Sequence, residues 1–233
     1  MIGWARARVR SLRARLSSMR YKGWSTRDVF EHIYAERQWG SLEKPGPFDS
    51  GAGSASTPSI PYVTFVRDYI KAGGVKVVAD LGCGDFRVGK AICEGLDIQY
   101  IGVDVVRPLV GHLNATYQSD RTKFLCLDLI EDELPEADIY LIRQVFQHLG
   151  NQQIEIILNK LRGETVLVTE HLPTTPAAHN TDKLPGPDIR LYRKSGVFLE
   201  HRPFSFTTQT LLEVPQPFNG TDAVLRTSLL KNL

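Results

Sequence analysis

The sequence predicts a doubly wound α/β fold with a mostly parallel sheet, on three observations. Val77-Val78-Ala79-Asp80-Leu81 is a short apolar run with an acid near its end, and Gly82-Cys83-Gly84-Asp85 follows directly. About twenty residues on, a second apolar run, Tyr100-Ile101-Gly102-Val103, ends in Asp104. Apolar runs and amphipathic stretches then alternate as far as residue 170, the pattern of successive βαβ units with right-handed crossovers.

Strands are predicted at 76–81, 99–104, 123–127, 137–142 and 165–170, and helices at 86–95, 107–118 and 151–162. Stretches near 196–200 and 223–230 predict two late strands. Upstream, 61–72 reads as a helix leading into the sheet. Residues 25–39 read as another, with Ser25 or Thr26 as N-cap ahead of Asp28. Residues 41–61 are rich in Gly, Ser and Pro and contain Asp49-Ser50-Gly51-Ala52-Gly53-Ser54. Such a segment is either an unstructured linker or a lid over a small ligand.

Residues 2–19 place Ile2, Ala5, Val9, Leu12, Leu16 and Met19 on one helical stripe, with arginines over much of the other face. Three readings stay open for this N-terminal helical extension. It covers the domain or a partner subunit, as in a homodimer; it makes peripheral contact with an anionic membrane or glycolipid through residues 1–20; or it is a frayed arm. The chain thus divides into a basic amphipathic helix (1–24), a helical and Gly-Ser lid segment (25–72) and the main domain (73–233).

A chain of 233 residues, 42% hydrophobic, supports one such domain with additions. The net charge of +2 hides an asymmetry: residues 1–27 hold eight of the 28 basic residues and no acid, so the remaining 20 face 26 acidic ones. Nothing in that acidic body suggests a nucleic-acid surface. No apolar run is long enough to span a bilayer, and the N-terminus lacks the apolar segment of a secretory signal. Cys83, Cys93 and Cys126 read as reduced, packed thiols, and the chain as cytoplasmic.

A strand, glycine turn, helix, strand and acid in that order suits two ligand classes, dinucleotides and S-adenosylmethionine. The dinucleotide pattern wants a third glycine where Arg87 stands, to let helix and strand pack closely under a pyrophosphate. Asp80 and Asp85 are poor neighbours for a pyrophosphate and good ones for an ammonium and a sulfonium. A plain doubly wound domain with a tight turn is the bland alternative. Asp104 is placed to grip both ribose hydroxyls, or else to cap the next helix. A third strand, Phe124 to Leu127, again ends in an acid, Asp128.

The stretch from Val77 to Asp104 resembles the first two motifs of class I S-adenosylmethionine-dependent methyltransferases. That resemblance covers residues 75–171 and implies a Rossmann-like seven-stranded sheet whose last strand is reversed. It implies S-adenosylmethionine as cofactor, held by Asp80, Gly82, Cys83, Gly84 and Asp104, with Asp128 and Leu129 reading the adenine and Arg143 and Gln144 flanking the cofactor after the fourth strand. His148, five residues past Arg143, is either a catalytic base or a packing and capping residue. Glu170 and His171, closing the fifth strand, either bind a divalent metal such as Mg2+ with help from Asp188 or Asp182, or supply a base at His171, or line a polar pocket. The loop from His179 to Arg190 offers Asn180, Asp182 and Arg190 to a substrate, unless it is merely solvated.

Trp39-Gly40, Ser50 to Ser54, Arg143 to Leu149, Asn180 to Arg190, Gly196-Val197 and Pro203-Phe204 resemble a narrower group. These are bacterial sugar and polysaccharide O-methyltransferases, including those of mycobacterial methylmannose polysaccharide synthesis. This likeness implies methyl transfer to a hydroxyl of a sugar or glycoside in polysaccharide or glycolipid biosynthesis. A non-sugar small molecule or lipid as acceptor, and a cofactor-binding regulatory subunit without catalysis, are the alternatives.

Overall fold

The computed structural model describes residues 19–39, 47–54 and 56–231. The basic apolar stripe of residues 2–19, and with it the proposed membrane or dimer contact, lies outside the described residues except for Met19.

Seven strands form one sheet in the order β3-β2-β1-β4-β5-β7-β6. They are β1 (Val77–Leu81), β2 (Gln99–Asp104), β3 (Thr122–Cys126), β4 (Ile139–Arg143), β5 (Val166–Pro173), β6 (Thr208–Pro215) and β7 (Ala223–Leu230). β1 pairs in parallel with β2 and with β4, β2 pairs in parallel with β3, and β6 and β7 are antiparallel. The central strands carry continuous apolar runs because the sheet is covered on both faces: the last four residues of β1 and all eight of β5 are buried. The helices are α1 (Thr26–Ala35), α2 (Ser56–Gly73), α3 (Arg87–Cys93), α4 (Arg107–Tyr117) and α5 (Asn151–Lys160). No described helix is long and apolar enough to cross a membrane.

The chain falls into two compact units. One joins Thr26–Arg143 to Glu164–Leu167, and the other joins Gln144–Gly163 to Val168–Leu233 and takes in residues 19–25. In the first unit, strand order reverses about β1, which lies between β2 and β4. In open α/β sheets, the carboxyl ends of strands at such a switch point are where ligands bind. Its core there is aromatic: Phe86 meets Tyr100, Tyr117 and Phe124 at ring-centroid distances of 5.1, 5.3 and 4.9 Å. That packing holds Phe86 in a left-handed conformation (φ 66°), a strained one for a residue with a side chain.

Two predicted elements differ. α2 begins at Ser56 rather than 61 and carries Pro61 in its second turn, where the missing N–H leaves a first-turn carbonyl without its helical donor. The run 196–200 is not a strand. Ser195 to Leu199 are buried irregular chain, and the Asn180 side chain, not a neighbouring strand, satisfies the Phe198 N–H (2.7 Å). The sixth strand lies later, at Thr208–Pro215, where none of its residues is buried and the alternation that would announce it is weak.

Gly89 in α3 faces Tyr100. An added Cβ would meet the Tyr100 hydroxyl and come within 2.8 Å of the Phe86 ring. Gly89→Ala should therefore destabilise the protein by about 1–3 kcal/mol, the usual cost of overpacking. Urea unfolding checks this, and an unchanged midpoint would show that the α3–β2 contact yields freely.

Candidate functional site

The turn after β1 is built by backbone geometry and two acids. Gly82 (φ 79°) and Gly84 (φ 57°) occupy left-handed conformations that side chains resist. The Gly82 and Cys83 N–H groups both donate to the Val103 carbonyl, at 2.8 and 3.0 Å. Asp104, at the end of β2, accepts the Gly84 N–H on Oδ2 and the Val106 N–H on Oδ1, both at 3.1 Å. Asp80 accepts the Tyr100 hydroxyl at 2.6 Å. Burial pushes both carboxyls up to about 6; Tyr100 and Arg143 oppose that shift at Asp80, and the backbone N–H groups oppose it at Asp104. Burial also raises the Cys83 thiol well above its ordinary range, so this sulfur packs as a neutral group.

The Gly/Ser segment seats directly on this turn. The Ser50 N–H donates to Asp85 Oδ2 (2.9 Å), and the Asp85 N–H donates back to Ser50 Oγ (2.7 Å). Ser50 Oγ also meets the Tyr34 hydroxyl at 2.8 Å. A Cβ on Gly84 would collide with Ser50 Oγ, so the bare glycine is what lets the segment close down. Arg87 binds Asp85 at 2.6 Å and Asp49 at 3.0 Å, and Asp49 accepts the Gly51 N–H. The linker reading of residues 47–54 therefore gives way to a fastened segment. Tyr34 was not singled out from the sequence, and Asp85 and Ser50 were read there only as an acid of the turn and as part of a candidate lid, without their pairing. Only the adjacency of Gly, Ser and Asp in each segment hinted at their partnership.

Arg143 closes β4. It donates to the Gly53 carbonyl at 2.8 Å, and its guanidinium lies 5.1 Å from the Tyr62 ring centroid. Asp128 is buried and accepts the Ile130 N–H at 2.9 Å, an Asx turn that fixes the chain around Leu129. Arg27 donates to the Val105 carbonyl and to Cys126 Sγ, each at 3.0 Å. Asp80, Gly82, Cys83, Gly84, Asp104, Asp128 and Arg143 thus all belong to one compact unit.

The second unit begins with Gln144, in a left-handed conformation (φ 56°) with its N–H donating to the Thr169 carbonyl at 2.7 Å. The turn that follows, Phe146–His148, is wired from all sides. Glu170 accepts the Phe146 and Gln147 N–H groups at 2.9 and 3.1 Å. Arg190, 1% exposed, donates to the carbonyls of Phe146 (2.9 Å), Leu149 (2.8 Å) and Thr181 (3.0 Å) and to Asn151 Oδ1. Lys183 donates to the His148 carbonyl at 3.3 Å and pairs with Asp188 at 3.2 Å. His148 Nδ1 meets the Gly186 carbonyl at 3.2 Å, and its Nε2 meets Gln147 Nε2 at 3.3 Å. Burial, aided by the Lys183 charge, pushes the His148 imidazole down to about 3.

These contacts redirect the predicted substrate and metal residues. Arg190 is a buried staple. Asn180 donates to the carbonyls of Phe198, His201 and Arg202 and accepts the Phe198 N–H, so its amide is consumed by chain folding. Asp182 accepts the Asn151 N–H at 2.8 Å, at the start of α5. A residue's type in a polar loop does not reveal its partner, and here the partners are backbone groups. Glu170 and Asp188, predicted as metal ligands, are engaged by N–H groups and by Lys183 and Arg193 respectively. Among the described residues no group of three His, Cys, Asp or Glu side chains is placed to hold a metal ion. His171 Nε2 lies 2.7 Å from the Gln216 carbonyl, which makes it the protonated nitrogen and leaves Nδ1 with the lone pair.

No family model and no curated protein matches the sequence. Solved structures do match. One is the N-methyltransferase NodS from Bradyrhizobium japonicum WM9 in complex with S-adenosyl-L-homocysteine, at 12% identity and a TM-score of 0.57, covering 85% of this chain and 98% of that one. Another is a 1,6-didemethyltoxoflavin N1-methyltransferase from Burkholderia thailandensis, at 18% identity and a TM-score of 0.55, covering 88% and 87%. A third is the magnesium protoporphyrin IX methyltransferase of Synechocystis PCC 6803, at 13% identity and a TM-score of 0.53, covering 87% and 97%. The fold is the Rossmann-like methyltransferase fold. The seven-stranded sheet, with β6 and β7 antiparallel, matches the sheet that the sequence likeness implied.

The depressed His148 imidazole has a stability consequence. Between about pH 3 and 6.5 the unfolded imidazole binds a proton that the folded one refuses, so its contribution is lost as pH falls through that window. Asp80 and Asp104 act with the opposite sign between 3.8 and about 6. His148→Gln should therefore gain about 2–3 kcal/mol relative to the parent between pH 7 and pH 4.5. Urea unfolding at the two pH values measures the difference, and parallel shifts in the two proteins would show that His148 titrates normally.

Proposed function

We propose that this chain is an S-adenosylmethionine-dependent methyltransferase acting on a hydroxyl, with a sugar or glycoside as acceptor. The observation that carries the cofactor assignment is Asp104. Its oxygens accept the Gly84 and Val106 N–H groups, with the Val105 N–H adding a third donor, and an ionised carboxylate has about four acceptor sites, so it keeps capacity for a ribose hydroxyl. The local charge agrees. Asp49, Asp80, Asp85 and Asp104 surround the turn, and Arg87 is already paired with two of them. Such a site favours an ammonium and a sulfonium over a pyrophosphate.

In this reading Asp80, Gly82, Cys83, Gly84, Asp104 and Arg143 hold the ribose and amino-acid parts, Asp128 and the Leu129 N–H meet the adenine, and Gln144 borders the transferred group. The cofactor supplies an electrophilic methyl. The chain's own task is to exclude water, align the acceptor oxygen and take its proton, which a positioned base accelerates by ~10²–10⁴-fold. His148 is the weaker base of the two imidazoles: it is pushed down to about 3, and its lone-pair nitrogen already faces the Gln147 amide. His171 keeps Nδ1 as an acceptor and takes the proton in this reading.

The sugar acceptor rests on sequence resemblance alone. A non-sugar small molecule is the second reading, and one finding favours it: Asn180 and Arg190, expected to recognise hydroxyls, are consumed by the fold, and Asp182 spends one oxygen on the Asn151 and Lys183 N–H groups.

S-adenosylhomocysteine should bind in calorimetry and NAD should not. Asp104→Ala should weaken that binding by about 1.5–3 kcal/mol, the worth of hydrogen bonds to a charged acceptor. Wild-type affinity in the variant would remove Asp104 from the site. Methyl-labelled cofactor offered with methyl glycosides and with non-sugar alcohols then decides the acceptor class. Binding without turnover of any acceptor would favour the regulatory alternative.

A further inference from the structure

Gln147 has a feature that none of the roles above uses. Its side chain is 7% exposed, and its Oε1 is fully buried with no donor among the described residues. The orientation of the amide is fixed by its other end. Nε2 lies 3.3 Å from the Gln144 carbonyl and 3.3 Å from His148 Nε2. The end facing a carbonyl must be the donor. His148 Nδ1 faces the Gly186 carbonyl, so it carries the hydrogen and leaves Nε2 to accept from Gln147. Exchanging the amide ends would set two carbonyl oxygens against each other and solve nothing.

The surrounding turn is held by charged side chains. Glu170 takes the Phe146 and Gln147 N–H groups, Arg190 takes the Phe146 and Leu149 carbonyls, and Lys183 takes the His148 carbonyl. Gln147 Oε1 is an unpaired buried acceptor on a turn that Arg190, Lys183 and Glu170 hold in place. Buried polar atoms are nearly always paired, and an exception calls for a ligand, a water or a functional reason. The turn also follows β4 directly in the chain.

We propose that Gln147 Oε1 anchors a subsite for a neutral O–H or N–H donor on the methyl acceptor. The identity of that ligand as the acceptor rests on the methyltransferase reading; the donor-binding site itself does not. His148 is then a positioning residue. Its neutral imidazole holds the Gln147 NH2, and its depressed basicity keeps that arrangement intact across the physiological range. The subsite accepts hydroxyls, amides and amines in neutral form and disfavours carboxylates, whose oxygens would face the Gln147 oxygen.

Crystals of the full chain soaked separately in ethylene glycol and in acetonitrile test the site with probes that respectively have and lack a donor. A glycol hydroxyl within about 3.2 Å of Oε1, with acetonitrile absent there, is the expected result. Neither probe at Oε1, or both, would overturn the proposal. Thermal melting of Gln147→Leu is the second measurement. Leucine removes the unpaired oxygen, whose burial costs about 1–3 kcal/mol, together with the two bonds that the NH2 donates, worth about 1 kcal/mol each, so the midpoint should stay within about 5 °C of the parent. A fall of more than about 5 °C would make the side chain a folding element instead. S-adenosylhomocysteine calorimetry on both proteins keeps the two readings apart. Failure of the parent to bind it sinks the methyltransferase reading, whereas equal affinity in the two proteins leaves the soak to judge Gln147.

Discussion

Asp104 ties the end of β2 to the glycine turn that follows β1. Its carboxylate takes the Gly84 N–H on one oxygen and the Val106 N–H on the other, while burial raises its pKa to about 6. Those two bonds decide where the turn sits. Gly84, held down by Asp104, presents no side chain, so Ser50 can settle on it and exchange hydrogen bonds with Asp85. Arg87 then draws Asp49 and Asp85 together. The segment that closes over the turn is thus fastened indirectly by the same acid that is proposed to bind the ligand. A carboxylate kept this dry is costly when ionised, and that cost is offset when a ligand hydroxyl donates to it.

The second unit solves a different problem with the same chemistry. A 3₁₀ turn, Phe146–His148, leaves buried N–H and carbonyl groups without helical partners, and buried backbone groups need partners. Glu170, Arg190 and Lys183 do so from three directions. The arrangement is expensive in buried charge, and Lys183 is shifted down to about 8 by it. In exchange the turn is fixed to the precision that recognition of a small molecule demands. The polar loop from Asn180 to Arg190 reads as a recognition surface in sequence and works as an internal scaffold in space.

The contrast between the units explains what was legible in the sequence. Asp80, Gly82, Gly84 and Asp104 were legible because a parallel strand leaves a continuous apolar run, and the run must end where the chain meets a turn. Their position follows from local pattern alone. The partnership of Ser50 with Asp85 spans 35 residues, and that of Arg190 with Phe146 spans 44. No periodicity encodes such pairings, so Arg190, Asn180 and Asp182 showed only their chemistry. The stretch 196–200 was read as a strand because it is apolar and buried, which it is. Its hydrogen bonds go to the Asn180 side chain, and burial without a ladder has the same sequence signature as burial within one.

The most direct measurement is a crystal structure of the protein with S-adenosylhomocysteine. A ribose hydroxyl within hydrogen-bonding distance of the Asp104 carboxylate is expected, with the Gly82–Asp85 turn in its present conformation and Ser50 still on Gly84. A nucleoside bound away from Asp104, or a turn that must abandon the Gly84–Asp104 bond to admit it, would contradict the role given to this carboxylate.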